Sequence, residues 1–235
     1  MLTISALAAE PSLAHGFSTA AEGSVGLSSD DGGQAAAARA RLVTALGLDL
    51  AKATLAGAVH GAEVARVDGP RGRVEGVDAL VTDRPGMVLM AVFADCYPIL
   101  LLDPRRPALA VAHAGWRGTR SGVVTAAVRA LEGEYGCRPQ ELLVGIGPGI
   151  CGRCYEVGQE VAAQFPPEVV RPSPGGRLLL DLEAANRAAL ASAGVLPGRV
   201  HSIGMCTYES PLLPSHRRRP DGSRFALAAA LRPSP

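Results

Sequence analysis

A long apolar stretch in the middle of the chain constrains the fold more than any other feature. Residues 87–102 (MVLMAVFADCYPILLL) form one apolar run, broken only near Asp95, and residues 109–112 (LAVA) form another. Continuous runs of this kind are typical of strands that are covered on both faces, because a strand with one wet face alternates apolar and polar residues. We therefore predict central strands over 87–94 and 109–112, with the segment DPRRP (103–107) as the reversal between them.

The rest of the chain alternates between helix-like and strand-like segments. Helices are predicted at residues 34–46 with Asp30 or Asp31 as the cap, at 118–132, at 155–165, and at 182–193 with Asp181 as the cap. Further strands are expected at residues 53–60, 62–68, 76–83, 142–146, 199–204 and 224–231. Because some neighbouring strands are joined by short turns and others by helices, we predict an α+β fold with a mixed sheet, in a single domain over residues 1–235.

Composition excludes several classes of protein. Of the 235 residues, 48% are hydrophobic and 19% are charged, with a net charge of +1, so no strong field exists to hold nucleic acid or an anionic membrane. The run 87–102 is too short for a membrane span, and the first residues do not resemble a secretory signal, so we expect a cytoplasmic protein. Five cysteines at irregular spacing do not form a disulfide framework, and free thiols or metal ligands are expected instead.

Three residues suited to metal binding stand where apolar runs give way to Gly-rich turns. They are His60 in AVHGAE, Cys96 in FADCYP and His113 in VAHAGWRG. Two imidazoles and one thiolate are a typical zinc ligand set, and three protein ligands leave one position open for catalysis. The simpler interpretation is a buried small cysteine and two loop histidines, and the spacing of the three residues matches no compact zinc motif.

A second cysteine pattern carries a weaker signal. Cys151 and Cys154 form a CxxC motif, but a structural zinc site needs a second pair, so we interpret them as ordinary thiols. The preceding GIGPG (145–149) matches neither a dinucleotide fingerprint nor a P-loop, and it predicts a tight turn after a strand.

Two arginines stand out from the 23 basic residues of the chain. Arg117 opens a helix directly after His113, and Arg217 lies in the segment SHRRR (215–219) near the C-terminus. A helix start beside a guanidinium group suits a phosphate or another small anion. The alternative is a solvated charged loop, which we favour for Arg218 and Arg219.

Motifs over nearly the whole chain resemble the YfiH/YlmD-type family and its mammalian laccase-domain relatives. Members are variously called multicopper polyphenol oxidases, purine nucleoside phosphorylases and peptidoglycan editing factors. The matching segments are HGFST (15–19), VHGAEV (59–64), VDALVTD (77–83), ADCYPILLLDP (94–104), HAGWRGT (113–119), IGPGIC with CYEVG (146–158), DL (181–182), CTY (206–208) and SHRR (215–218).

The resemblance implies a layered α/β/β/α domain, with mixed β-sheets between helices, and a zinc ion bound by His60, Cys96 and His113. It further implies phosphorolysis of adenosine, inosine and methylthioadenosine, together with adenosine deamination. The small-molecule partners would be a nucleoside and phosphate, and the oligomeric state stays open. Candidate acid or base groups are Glu63 and Asp95, with Cys96 as a further catalytic candidate, and the candidate substrate-binding or phosphate-binding residues are Arg39, Arg117, Tyr208, Ser215 and Arg217.

Alternatives stay open at this point. Cys96 and His113 could instead form a nucleophile and base pair of a hydrolase or deamidase, or the protein could edit peptidoglycan precursors. A copper oxidase is disfavoured, because the chain has five histidines and no HxH pair. Ala20, Ala38 and Ala58 stand where the family usually has Arg, Asn and Gln, so polar groups of the substrate pocket are expected to be missing.

Overall fold

A computed structural model describes residues 1–26, 33–173 and 175–233. Its helices are α1 (Ser5–Ala8), α2 (Gln34–Ala45), α3 (Trp116–Ser121), α4 (Val123–Tyr135), α5 (Gln159–Ala162) and α6 (Leu182–Ser192). Its strands are β1 (Leu13–Phe17), β2 (Ala53–Gly57), β3 (Val64–Arg66), β4 (Gly72–Glu75), β5 (Ala79–Thr82), β6 (Val88–Phe93), β7 (Tyr97–Asp103), β8 (Ala108–Ala114), β9 (Leu143–Ile146), β10 (Glu156–Val157), β11 (Val170–Pro172), β12 (Leu178–Leu180), β13 (Val200–Ser202) and β14 (Phe225–Leu231). No helix in the described ranges has the length and apolar character needed to cross a membrane.

Two larger mixed sheets form the centre of the fold. The first has the strand order β1-β14-β6-β2-β4, and the second has the order β13-β9-β7-β8-β5-β3. Parallel pairs such as β2 with β6 occur beside antiparallel pairs such as β7 with β8. A small antiparallel sheet, β10-β12-β11, is not hydrogen-bonded to either of them, and its Leu180 packs in the same apolar cluster as Ile99 of β7. The α+β class with mixed sheets is therefore confirmed.

Three apolar clusters show how the layers stack. Leu89 of β6 and Leu100 of β7 share the cluster between the two larger sheets. Alternate residues of the same strands point outward: Met90 packs in the cluster that contains Leu42 of α2, and Ile99 packs in the cluster that contains α4 and α6. Both faces of β6 and β7 are thus buried, which explains their continuous apolar sequence and gives the α/β/β/α layering.

The predicted helix over 118–132 is two helices in the structure. Helix α3 begins at Trp116, and Gly122, with φ of 83°, separates it from α4. A left-handed residue ends an α-helix, and glycine adopts this conformation without steric cost. The sequence pattern missed the break because the apolar stripe continues on both sides of it.

The predicted helix over 155–165 is also wrong for most of its length. Residues 156–157 form β10, which pairs with β12, and only the short helix α5 follows Gly158. Tertiary pairing to a strand outweighs the helical propensity of this segment. The helix at α6 is confirmed with its predicted cap, since the Ala184 amide donates to Asp181 at 3.0 Å. The predicted caps Asp30 and Asp31 lie outside the described residues.

Candidate functional site

His60, Cys96 and His113 come together at one end of the two larger sheets. Their candidate ligand atoms, one ring nitrogen from each histidine and Sγ of the cysteine, all lie within 4.8 Å of one another. The two imidazole rings are 5.1 Å apart, centre to centre, and nearly perpendicular. The predicted meeting of the three side chains, remote in sequence, is therefore confirmed.

The backbone around His60 is held by a buried carboxylate. His60 follows β2 with a φ of 64°, a left-handed conformation that is costly for a non-glycine residue. The carboxylate of Asp78 accepts hydrogen bonds from the amides of His60 at 2.7 Å and Gly61 at 2.8 Å. These charge-assisted bonds offset the strain and aim the imidazole toward Cys96.

His113 is buried without the polar partners that a buried imidazole normally has. It lies in β8, and its ring stacks on Phe93 with the ring centres 4.8 Å apart. Within the described residues, neither of its ring nitrogens makes a hydrogen bond. An unpartnered buried polar group is costly, so the arrangement suits a site completed by a further group.

Burial also favours the uncharged forms of Cys96 and His113. Burial raises the pKa of the Cys96 thiol to about 12, and the Asp95 carboxylate contributes to this shift. Burial, followed by the nearby His60 and Arg224, lowers the pKa of His113 to about 3. A thiolate and imidazolium pair is therefore disfavoured, which weighs against Cys96 as an activated nucleophile. A divalent cation reverses this balance, because it stabilises the thiolate directly.

The geometry accommodates a tetrahedral metal ion. Ligand atoms around a tetrahedral zinc lie roughly 3.3–3.8 Å apart, so small rotations of the three side chains suffice. Gly115 lies directly over the site: a Cβ at this position would stand 2.7 Å from Sγ of Cys96 and 3.3 Å from a ring carbon of His60. The residues present therefore fit a metal ion with two imidazole ligands and one thiolate ligand.

A cavity of about 620 Å³ opens above the three residues. This volume lies in the range of about 300–1,000 Å³ that is common for small-molecule sites. The lining combines the three candidate metal ligands with basic, aromatic and acidic side chains. The other charged or aromatic lining residues are Asp95, Arg117, Tyr155, His216, Arg217 and Arg224.

Asp95 fixes one wall of this cavity. It has a φ of 77° and is largely buried. Its carboxylate accepts hydrogen bonds from the Thr207 hydroxyl at 2.6 Å and from the Arg217 amide at 2.7 Å. Both oxygens therefore have partners within the protein, which favours a positioning role over proton transfer.

The two predicted anion-binding arginines face the same cavity. The guanidinium of Arg217 lies 5.3 Å from the ring centre of Tyr155 and donates to the Glu156 carbonyl at 2.7 Å. The guanidinium of Arg117 lies 4.3 Å from the ring centre of Trp116. Aromatic contacts hold both cations in place while leaving donors free for an anion.

Four further predicted residues lie away from the lining of this cavity. Arg39 donates to the carbonyls of Val25 and Gly26, at 3.0 and 2.9 Å. Glu63 and Tyr208 are exposed. Ser215 is buried, and its hydroxyl accepts a hydrogen bond from the Arg218 amide at 3.1 Å. None of these four residues is among the described residues that line the cavity. Their roles stay predictions.

Sequence reasoning missed several residues of this site. Asp78 and Tyr155 lie inside family motifs (VDALVTD and CYEVG), which is a usable signal, but their chemical context depends on the fold. Arg224 and His216 line the cavity from the C-terminal segment. Arg224 did not stand out because the chain contains many arginines. His216 did not stand out because it does not adjoin an apolar run, unlike His60 and His113.

Residues 14–231 match the family described as multi-copper polyphenol oxidoreductase laccase. The chain belongs to this family. It is 42% identical over 193 residues to the purine nucleoside phosphorylase of Deinococcus radiodurans, covering 81% of this chain and 74% of that protein. It is 37% identical over 194 residues to the adenosine deaminase RL5 of an unknown prokaryotic organism, covering 76% of this chain and 72% of that protein.

The fold is shared with a solved member of the family. The crystal structure of YlmD from Geobacillus stearothermophilus superposes with a TM-score of 0.87 at 30% identity, covering 95% of this chain and 93% of that chain. The family resemblance derived from the motifs is therefore confirmed. The names of the relatives favour an enzyme that acts on purine nucleosides, and the His60, Cys96 and His113 cluster is the place where a metal would support it.

Proposed function

We propose that this protein is a purine nucleoside phosphorylase that binds zinc through His60, Cys96 and His113 and also deaminates adenosine. In phosphorolysis, an oxygen of phosphate bonds to C1′ of the ribose while the bond from C1′ to the purine nitrogen breaks, and the released base takes up a proton. The observation that carries the proposal is the joint presence of this cluster and three guanidinium groups in one cavity. Zinc, when bound there, supplies a Lewis acid with an open coordination position.

Phosphate binding is assigned to Arg117 and Arg217. Both guanidinium groups are held on aromatic rings, and both line the cavity that contains the cluster. Arg217 is placed by two further contacts, since its backbone amide donates to Asp95 and its side chain donates to the Glu156 carbonyl. Preorganised cations of this kind neutralise charge that develops in the transition state at little reorganisation cost.

Substrates proposed for this cavity are adenosine, inosine and methylthioadenosine. The half-buried ring of Tyr155 and the apolar side chains of Ala56, Val92 and Ala94 offer a surface for the purine and ribose. Adenosine deamination consumes one water, releases ammonia and leaves inosine. The five histidines of the chain include no HxH pair, so the same cavity is not proposed to oxidise phenols with copper.

The proposal is tested with purified, zinc-loaded protein and each of the three nucleosides. We expect release of free base and ribose 1-phosphate, or its methylthio analogue, only when phosphate is present, measured by liquid chromatography. With adenosine, we also expect inosine, formed without phosphate. His113→Ala should abolish both reactions, because it removes a buried metal ligand, whereas His201→Ala changes an imidazole on β13 that does not line the cavity.

A pair of arginine variants separates phosphate binding from a general loss of activity. Arg217→Gln should raise the KM for phosphate about tenfold or more while the KM for the nucleoside changes little, because a charged hydrogen bond contributes about 1.5–3 kcal/mol. Arg129→Gln alters an exposed arginine of α4 and serves as the matched control. The proposal is wrong if zinc-loaded protein turns over none of the nucleosides, or if His113→Ala matches the unaltered protein.

A further inference from the structure

The CxxC motif meets a second pair of candidate ligands in the structure. Cys151 and Cys154 stand three residues apart in one turn, and Cys206 and Glu209 stand three residues apart in another. The Cys154 amide donates to the Cys151 carbonyl at 2.9 Å, and the Ser210 amide donates to the Cys206 carbonyl at 3.0 Å. The sequence had suggested ordinary thiols because no partner for the CxxC was visible, and the second turn is that partner.

The two turns are joined directly by the backbone. Gly149 and Cys206 form a parallel bridge, and the Thr207 amide donates to the Gly149 carbonyl at 3.0 Å. The Cys151 amide donates to Sγ of Cys206 at 3.3 Å. An amide that donates to sulfur stabilises the thiolate, which is the form of cysteine that binds a metal. The same hydrogen bond fixes the position of the Cys206 sulfur.

The four side chains converge on one point. Three sulfur atoms and one carboxylate oxygen all lie within 4.8 Å of one another. Oε1 of Glu209 is 3.4 Å from Sγ of Cys154 and 4.0 Å from Sγ of Cys151. Around a tetrahedral zinc, sulfur and oxygen ligands stand roughly 3.6 Å apart, so these two distances are close to those of a coordination shell.

The surrounding charges support a site of this kind. Arg153, in the CxxC turn, donates to both oxygens of Glu209, to Oε2 at 3.1 Å and to Oε1 at 3.3 Å, and Oε1 also faces Sγ of Cys154. Arg171 donates to the Gly152 carbonyl in the same turn at 3.0 Å. Three thiolates and a carboxylate around a divalent cation carry a net charge of about −2, and these guanidinium groups offset it.

We infer that Cys151, Cys154, Cys206 and Glu209 bind a second zinc ion, separate from the site formed by His60, Cys96 and His113. Sulfur donors select thiophilic cations, and four protein ligands leave no open position, so this site is structural. Its two turns flank the residues that hold Asp95: the Ile150 amide donates to the Asp95 carbonyl, and the Thr207 hydroxyl donates to its carboxylate. The second ion therefore braces a wall of the substrate cavity.

The inference is tested by metal content per chain in the full-length protein, measured by mass spectrometry after loading with zinc and gel filtration. We expect one zinc in His113→Ala and none in the double variant His113→Ala with Cys154→Ser. Glu209→Gln, a change at an exposed residue that should leave the fold intact, is expected to weaken zinc binding at this site about tenfold or more. Cys137→Ser removes a buried cysteine outside both clusters and should not change the zinc content.

A spectroscopic experiment isolates the second site from the first. His113→Ala loaded with Co²⁺ should show the strong thiolate-to-cobalt charge-transfer absorption of a tetrahedral site rich in sulfur, and Cys154→Ser in the same background should lose it. The outcome does not depend on catalysis. If the first site binds no metal, His113→Ala and unaltered protein still hold the same single zinc, and Cys154→Ser loses it.

Two results would overturn the inference. The first is that Cys154→Ser and Glu209→Gln, both folded by circular dichroism, hold zinc with the same stoichiometry and affinity as the parent protein. The second is that thiol titration of denatured, unreduced protein counts three free thiols among the five cysteines of the chain, whereas Cys154→Ser, which has four cysteines, shows four free thiols. That pattern would assign the cluster to a disulfide instead of a metal.

Discussion

The hydroxyl of Thr207 donates to the carboxylate of Asp95 at 2.6 Å, although 112 residues separate the two in sequence. Thr207 is fully buried, and Asp95 holds a left-handed backbone conformation next to Cys96. This contact joins the turn that precedes β7 to the C-terminal segment that carries Arg217. The positions of Cys96, a candidate metal ligand, and of Arg217, a candidate phosphate-binding residue, therefore both depend on the Asp95 carboxylate.

Replacing Thr207 by valine should damage both stability and activity. The variant keeps the shape of the side chain but leaves a buried carboxylate oxygen without its donor, which costs about 1–3 kcal/mol. We expect the free energy of unfolding in urea to fall by that amount and the KM for phosphate to rise, since Arg217 loses its fixed position. Thr44→Val, at an exposed position of α2, is the control, and equal effects of the two variants would contradict the argument.

Gly115→Ala should disturb the cluster of His60, Cys96 and His113 without unfolding the protein. Gly115 has a φ of −82°, which alanine adopts without strain, but the added methyl would stand 2.7 Å from Sγ of Cys96. We expect reduced zinc affinity and reduced phosphorolysis, with an unchanged far-ultraviolet circular dichroism spectrum. Gly133→Ala in α4, where a Cβ meets nothing within 4 Å, should be neutral or stabilising by up to about 1 kcal/mol. If Gly115→Ala binds zinc as tightly as the unaltered protein, Sγ of Cys96 is not a zinc ligand.

The sequence pattern was sufficient for strands β6 and β8 and for the three residues near the strand ends. It did not separate β7 from the apolar run, and the reversal at residues 103–107 joins β7 to β8, whereas the prediction joined the strand over 87–94 to the strand over 109–112. Strands β6 and β8 are buried on both faces, so hydrophobicity alone predicts them. His60, Cys96 and His113 were recognisable because each interrupts apolar sequence beside glycine or a turn. These signals are local, and the sequence carries them directly.

Contacts between distant segments were not predictable in the same way. Asp78 holds the loop of His60 from 18 residues away, and Glu209 reaches Cys154 from 55 residues away. Asp78 lies inside the motif VDALVTD, but this motif does not reveal which loop its carboxylate holds, and Glu209 lies just outside the motif CTY. Only the pairing of strands and turns brings the two carboxylates to these positions. The periodicity and spacing of the sequence therefore do not predict these contacts.

His15 should make the stability of the protein depend on pH. Burial lowers its pKa from 6.5 to about 4, and its Nε2 accepts a hydrogen bond from the Ile4 amide at 3.0 Å. Because the unfolded chain binds the proton more tightly, stability is complete above the unfolded pKa and falls as the pH drops toward 4. His15 should therefore contribute a loss of about 2 kcal/mol between pH 8 and pH 5.

The measurement is urea unfolding at both pH values for the parent protein and for His15→Gln. Glutamine keeps an acceptor for the Ile4 amide but does not titrate in this range. We expect the parent to lose about 2 kcal/mol more than the variant over this interval, since other buried histidines contribute equally to both proteins. Parallel pH profiles for the two proteins would show that His15 is not buried in its neutral form.

The alanines that depart from the family pattern should respond differently when the usual residue is restored. Ala58 lines the cavity above His60, Cys96 and His113, whereas Ala38 is fully buried in the apolar cluster under α2. Ala58→Gln adds an amide that can hydrogen-bond a nucleoside, and one such bond of about 1 kcal/mol would lower the nucleoside KM roughly fivefold. Ala38→Asn instead places an amide among aliphatic side chains and should lower the free energy of unfolding by about 1–3 kcal/mol. Steady-state kinetics and urea unfolding of both variants check the contrast, and an unchanged KM in Ala58→Gln would place the nucleoside away from this wall of the cavity.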